Sequence, residues 1–527
     1  RDAQESRGLG DVYKRQKISI LMDKGTVLRW LISFAMCVSL FIIPVSGQRV
    51  ENHFVKPITG TWINLAYQDV RNKYTNPQHF DYTAPALWRQ KIKELSEMGI
   101  EYLVFMAVAN EGKAYYPSKL MPHAYAPEKE SPVDVIMDMA DELGMKVFMS
   151  TGWAKNQDDN LQDPAIKQRQ LQMMEELAAL YRNHKAFYGW YLPVEDCLCP
   201  IFAEHAVQSV NTLVEKARVL TPGKKTLISP YGIVNSAFDD PAYERQLAKL
   251  KVDIIAYQDE IGCVREQFPL LRLKRSWEKL RAIHDRLGIA LWANCETFTW
   301  ENETNDRASA LIPSAYSRLL SQQVAASVAG VETITSFMMY GLFDKPDSPF
   351  QLGQPIWSNK AYTDYMAWKN GDKYWNYLAA SFAGTLISGE IAKTDNVLWQ
   401  KMLDGKLAEE SSADTCWVEF APGYHELFFD FGKIVHLKQF MFRVLNYKSQ
   451  DICLPENISL SVSDDGIRYH LVAMKNVPCW PNAKHDIWID GILFDEIMEN
   501  GRYIKIAFEA SHRVCIDELY VNPILGK

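Results

Sequence analysis

Between about residues 57 and 386 the apolar positions of the chain follow one repeated rhythm. Short, almost uninterrupted apolar runs alternate with longer stretches in which apolar residues recur every three or four positions. The runs are GTWINLAY, EYLVFMAVAN, KVFMSTGW, FYGWYLPVED, KTLISPYG, VDIIAYQDE, IALWANCETF and ETITSFMMYG. Between them lie helical stretches such as APALWRQKIKELSEMG, where Leu87, Ile92, Leu95 and Met98 form one apolar face. Ser131-Pro132 reads as an N-cap with proline at the first helical position, and Gly99 and Gly144 follow helices where C-caps belong. Strands alternating with helices argue for parallel pairing, and strands apolar on both faces argue for cover on both sides. Eight such units predict a (β/α)8 barrel. A doubly wound open sheet is the alternative, but no G-x-G-x-x-G follows the first strand.

The tail has a different pattern. From about residue 388 short alternating segments (WVEF, HELFFDFG, KQFMFRVL, ISLSVSDDG, RYHLVAM, RYIKIAFE, CIDELYV) are separated by turn signals such as Asp464-Asp465-Gly466 and Asn500-Gly501. This predicts an all-β sandwich. The expected organisation is a barrel over residues 48–387 and a sandwich over 388–527.

The N-terminus fits neither pattern. Residues 1–21 are polar and aperiodic and read as an upstream scar. Residues 22–47 read as a signal peptide: Met22, then Lys24 and Arg29, the apolar run WLISFAMCVSLFII, and Val45 and Gly47 before a cleavage point near Gln48. The run is short for a transmembrane helix. An exported protein without a membrane span in its mature chain is therefore expected.

Composition narrows the partners. A net charge of −8 over 527 residues gives no reason to expect nucleic acid or an anionic membrane. The 15 Trp and 25 Tyr suit sugar faces as well as a large core. Cys197 and Cys199 form only a C-x-C pair and read as single thiols, whereas Cys453 and Cys479 are the expected disulfide. Zincin (H-E-x-x-H) and serine-hydrolase (G-x-S-x-G) motifs are absent from the sequence.

In such a barrel the chemistry sits at the C-terminal ends of the strands. In order these ends carry Asn64, Tyr67 and Gln68; Asn110; Trp153; Glu195-Asp196; Ser229 and Tyr231; Gln258-Asp259-Glu260; Asn294, Glu296 and Trp300; and Tyr340. Two carboxylates flanking a bond, one protonated and one ionised, are what glycoside hydrolysis requires. Glu195 and Glu296 end the fourth and seventh strands and are the candidate catalytic pair. Of Asp259 and Glu260, neighbours that point to opposite faces, Asp259 is the expected cleft residue and the alternative catalytic group. Trp62, Asn64, Asn110, Trp153, Tyr231, Gln258, Asn294, Trp300 and Tyr340 are the candidate substrate contacts.

The placement of Glu195 and Glu296 resembles the large clan of retaining glycoside hydrolases on (β/α)8 barrels. That resemblance implies Glu195 as acid/base and Glu296 as nucleophile. The clan's usual Asn before the fourth-strand Glu is Val194 here. The segments GTWINLAY, GWYLPVED, YQDEIG and CETFTW resemble a family of exported bacterial barrel proteins that is glycoside-hydrolase-like and has no assigned function. PENISLSVSDDGIRYHLV and CIDELYV resemble the discoidin-like, galactose-binding-like sandwich of coagulation factor C domains, which implies sugar binding and, commonly, a structural calcium.

The expected protein is thus a secreted glycoside hydrolase acting on an oligo- or polysaccharide, with no cofactor required for the chemistry. Two alternatives stand beside it: an inverting enzyme that uses Asp259, and a non-catalytic glycan-binding protein on a barrel scaffold.

Overall fold

The computed structural model describes residues 54–65, 81–150, 152–156, 159–196, 198–264, 270–302, 306, 309–482 and 484–526. The scar, the signal peptide, Tyr67, Gln68 and Cys197 lie outside the described residues.

Eight parallel strands close into a barrel in chain order: β1 (Ile58–Asn64), β2 (Tyr102–Ala107), β3 (Lys146–Ser150), β4 (Phe187–Tyr191), β5 (Lys225–Ile228), β6 (Ile254–Gln258), β7 (Ala290–Glu296) and β8 (Thr333–Phe337). β8 pairs back onto β1, which excludes the open sheet. Around the strands run α1 (Pro85–Glu97), α2 (Pro132–Leu143), α3 (Pro164–Tyr181), α4 (Glu204–Leu220), α5 (Pro241–Leu247), α6 (Leu270–Leu287) and α7 (Tyr316–Val328). α8 (Pro355–Lys369) and α9 (Lys373–Ala383) follow β8. Local chemistry sets the helix ends. At α2 the Ser131 hydroxyl accepts the Asp134 amide at 3.0 Å, and Gly144 closes the other end at φ 68°, a conformation that other residues adopt at a cost.

The apolar strands separate two cores. One lies between strands and helices. The other fills the barrel itself with Trp62, Val104, Met106, Phe148, Trp153, Tyr191, Leu227, Ile254 and Trp292. Among the described residues the lumen is therefore packed below, and the barrel's own space for a ligand lies at its C-terminal rim.

Two antiparallel four-stranded sheets form the C-terminal sandwich from β9 (Val418–Phe420), β10 (Gly423–Leu437), β11 (Phe440–Tyr447), β12 (Glu456–Ser463), β13 (His470–Lys475), β14 (Ile487–Phe494), β15 (Glu499–Ala510) and β16 (Val514–Val521). Their orders are β9-β16-β11-β14 and β10-β15-β12-β13. β14, IWIDGILF, is not among the strands expected from sequence, because Asp490-Gly491 interrupts its alternation. Both residues serve contact with the barrel. The Tyr374 hydroxyl on α9 donates to Asp490, and a Cβ on Gly491 would lie 2.6 Å from the Met441 side chain and 3.5 Å from Leu378 of α9. Lys373 pairs with Asp495 at 2.9 Å, and the strand Leu386–Ser388 pairs with Pro523–Leu525.

Cys453 and Cys479 form the expected disulfide, 26 positions apart. Cys199 is also disulfide-bonded, so the single-thiol reading fails there. Its apolar surroundings gave no sequence signal for this. Removing the Cys453–Cys479 link, as Cys453→Ser/Cys479→Ser, is expected to cost the sandwich about 3.5 kcal/mol, the loop-closure entropy of a chain segment of that length. A lowered melting temperature checks it, and unchanged melting would contradict it.

Candidate active site

A cleft of about 430 Å³ opens at the C-terminal rim of the barrel. Its walls carry Glu195, Glu296 and Glu260 among Trp62, Tyr191, Tyr231, Gln258, Asn294 and Trp300. Mixed rings, amides and carboxylates in one concavity make a site for a polar ligand with apolar faces.

One short segment, Gln258 to Cys263, holds both members of the expected pair. At its start the Gln258 side-chain amide donates to Glu195 Oε1 at 2.8 Å and to the Ser229 carbonyl at 3.1 Å. At its end the Cys263 backbone amide donates to Glu296 Oε2 at 2.7 Å. Gly262 between them has no room for a side chain: a Cβ there would lie 2.7 Å from the Phe298 carbonyl oxygen and 2.9 Å from Glu296 Oε2. The YQDEIG motif is thus the cradle of the seventh-strand carboxylate.

Asp259 is fully buried and does not line the cleft. Its Oδ1 accepts the Glu296 amide at 3.0 Å and its Oδ2 accepts the Gln322 side-chain amide at 2.6 Å, so it braces β6 against β7 and α7. The expectation that Asp259 rather than Glu260 faces the cleft is corrected. Strand alternation counted from Gln258, which faces the cleft, turns Asp259 away and Glu260 inward. Glu260 lies at φ 56° and accepts the Val234 amide at 3.0 Å.

These contacts set the electrostatics. Burial raises the pKa of Glu296 above its ordinary 4.5, and the nearby Asp259 and Glu260 add to the shift, while the Cys263 amide opposes it. Burial likewise raises Asp259 and Glu260. Arg318, also buried, lowers Asp259 and donates to the Glu296 and Phe298 carbonyls at 2.8 Å each. The Tyr191 hydroxyl is raised by burial and then by Glu195. Clustered carboxyls that share so little water hold a proton more readily than separate ones.

Of the expected substrate contacts, Trp62, Tyr231, Gln258, Asn294 and Trp300 line the cleft. The amide of Asn294 donates to Ser229 Oγ at 3.1 Å. Asn294 Oδ1 and Trp300 Nε1 are buried with no hydrogen-bond partner among the described residues. Four others do not line it. Asn64 and Tyr340 bond each other, the Tyr340 hydroxyl meeting the Asn64 amide at 2.9 Å and its carbonyl, and so join the ends of β1 and β8. Trp153 packs in the barrel lumen, and Asn110 accepts the Glu111 amide at 3.0 Å. The sequence reading left out Tyr191, Cys263, Phe298 and Phe337 as cleft residues. Tyr191 and Phe337 sit inside apolar strands, where nothing in the sequence separates a rim position from a core one.

The model of the family described as "Domain of unknown function (DUF4434)" matches residues 58–349, more than half of the chain and nearly all of the barrel. The chain belongs to the DUF4434 family. No curated protein matches it. Among solved structures, the DUF4434 chain is similar to a proposed alpha-L-fucosidase from Bacteroides thetaiotaomicron VPI-5482, at 18% identity over 61% of this chain and 96% of that one, with TM-score 0.49. It is also similar to an intracellular xylanase from Thermoanaerobacterium saccharolyticum JW/SL-YS485, at 17% identity over 54% and 85%, with TM-score 0.33. A third, a GH89 CBM32 structure from Clostridium perfringens, has 16% identity over 26% and 90%, with TM-score 0.17. These likenesses are too distant for a function to follow from them. For this DUF4434 protein the chemistry has to be read from its own cleft.

Proposed function

We propose that this DUF4434 protein is an exported glycoside hydrolase that cleaves O-glycosidic bonds of an oligo- or polysaccharide with Glu195 and Glu296. One observation carries the reading: a single segment, Gln258–Cys263, hydrogen-bonds both carboxyl groups on the wall of one cleft. Aromatic rings, with Asn294 Oδ1 and Trp300 Nε1, which have no partner among the described residues, supply apolar faces and polar anchors for a sugar.

In the reaction one carboxylic acid gives its proton to the glycosidic oxygen as the C–O bond breaks. The other, ionised, attacks the anomeric carbon or deprotonates the water that does. The clan resemblance assigns the acid to Glu195. The burial of Glu296 beside Asp259 and Glu260 favours the reverse, because a carboxyl in that setting keeps its proton. Both assignments share the pair and differ in which member is nucleophile or base.

The test is release of reducing ends from a panel of glycosides and polysaccharides by the full-length protein. The same assay is run on a Glu195→Gln/Glu296→Gln double variant. Turnover in the first and none in the second supports the reading. Saturable glycan binding with no turnover in either would replace it with a glycan-binding scaffold.

The calcium ion implied by the sandwich resemblance is part of this proposal. Among the described residues no group of three or more His, Cys, Asp or Glu side chains is placed to hold a metal. A melting temperature raised by calcium and lowered by EGTA supports the ion, and melting unmoved by either removes it.

A further inference from the structure

The cleft wall after β7 is a two-stranded hairpin, Phe298–Trp300 against Leu311–Pro313, with Trp300 opposite Leu311 and Thr299 opposite Ile312. Alternation gives it two faces. Phe298, Trp300 and Leu311 turn to the cleft. Thr299 turns the other way and lines a small cavity together with His485, Asp486 and Ile487 of the C-terminal sandwich.

The contact is specific. His485 is buried, and its Nε2 lies 2.6 Å from the Pro313 carbonyl oxygen, so the ring donates there. Trp357 of α8 and Trp488 of β14 pack edge-on to the ring at 6.1 and 6.0 Å. Lys484 pairs with Glu301, just beyond the hairpin strand, at 3.2 Å. The segment that carries these residues is itself held firmly. Asp486 accepts the Ser449 amide at 2.8 Å, and its carbonyl accepts the Lys448 amide at 2.7 Å. Upstream lie the Cys453–Cys479 disulfide and the bond from Trp480 Nε1 to the Ile452 carbonyl at 2.8 Å.

We propose that His485 is a positioning residue for the cleft: through Pro313 the sandwich holds the hairpin that presents Trp300 to the ligand, and so sets ligand affinity from outside the barrel. The functional half of this statement rests on the glycosidase reading. The structural half does not. The hairpin is short and joined to the barrel by its own ends. From the barrel side Arg318 holds the Phe298 carbonyl at 2.8 Å, but the two strands share just three residue pairs along their named length, and so short a hairpin without a partner on its outer face is marginal in water. His485 and Lys484 supply that partner.

The experiment uses the full-length protein and three variants. His485→Phe keeps the ring and removes the donor. His485→Gln restores a donor, and Lys484→Ala removes the outer ion pair. Amide hydrogen exchange is followed at residues 298–302 and 310–312. KM and kcat are measured on the best glycoside found for the wild type. In His485→Phe the hairpin amides are expected to exchange about two- to tenfold faster, the loss of one buried hydrogen bond. KM should rise by a similar factor while kcat changes less than about twofold, because bond cleavage depends on Glu195 and Glu296. His485→Gln should recover both. If His485→Phe does not fold, Lys484→Ala carries the same test with a smaller shift in the same direction.

A folded His485→Phe with wild-type exchange and wild-type KM overturns the proposal. A KM shift without a change in hairpin exchange also overturns it. Faster exchange in a protein that turns over no glycoside leaves the clamp standing and removes the glycosidase reading.

Discussion

Glu195→Gln is expected to lower kcat on an alkyl glycoside by about 10² to 10⁴, the usual contribution of a positioned acid or base, with KM nearly unchanged. The substitution is close to isosteric. Glu195 is only half-buried, so the neutral amide needs no new burial. Its carbonyl oxygen can still accept from Gln258, which now donates to Glu195 Oε1 at 2.8 Å. What is lost is the exchangeable proton. The loss should therefore depend on the leaving group. A dinitrophenolate departs without protonation, so an acid-deficient variant hydrolyses its glycoside far better than the alkyl glycoside. If Glu195 is instead the nucleophile, both substrates fall together. Full activity on both would exclude Glu195 from the chemistry.

Glu296→Gln is expected to abolish turnover and to change the way stability depends on pH. The folded pKa of Glu296 lies above its ordinary 4.5, raised by burial and by Asp259 and Glu260. The folded state therefore binds this proton more tightly than the unfolded state. The stabilisation is complete below about 4.5 and is lost as pH rises through the folded value, at up to about 1.4 kcal/mol per pH unit. Wild-type melting temperature should fall as pH rises through that window. Glu296→Gln, which never ionises, should flatten its share of the slope. Denaturant melts of both proteins between pH 4 and 9 decide it, and parallel curves would mean that Glu296 is not held in the protonated form. Azide then separates the two assignments. Added to Glu296→Gly, it forms a glycosyl azide of inverted anomeric configuration if Glu296 is the nucleophile, since the small anion attacks where the carboxylate stood. An inverted azide from Glu195→Gly would reverse the roles, whereas a retained one marks that residue as the acid/base.

The barrel was legible because its strands are apolar on both faces and its helices keep a 3.6-residue period. Eight such units admit few arrangements. The candidate pair stood out for a related reason: charge at the end of an apolar strand is costly unless it is used or paired. Asp259 shows where this reasoning stops. A strand end locates a carboxyl on the rim but does not say which way it points, and here the brace between β6 and β7 took the residue that the cleft was expected to have. Asn64 and Tyr340 failed in another way. Both sit at strand ends, yet they bond each other across the closure of the barrel, a pairing 276 positions apart that no local pattern announces. β14 was missed because its Asp-Gly serves contact with α9 rather than a turn. His485 lies outside the barrel, so a search of strand ends would not find it.

The strand Leu386–Ser388, by which the chain leaves the barrel, pairs with Pro523–Leu525, the last strand of the sandwich. The two ends of the stretch from Leu386 to Leu525, which carries the sandwich, are therefore neighbours, separated by about 4.8 Å, the spacing of paired strands. A segment with adjoining ends behaves as a cartridge. It can be inserted into a host chain at a single point, or removed from one, without stretching the host's backbone. Such a geometry suits a module exchanged between host chains, each host needing only a surface for it to rest on.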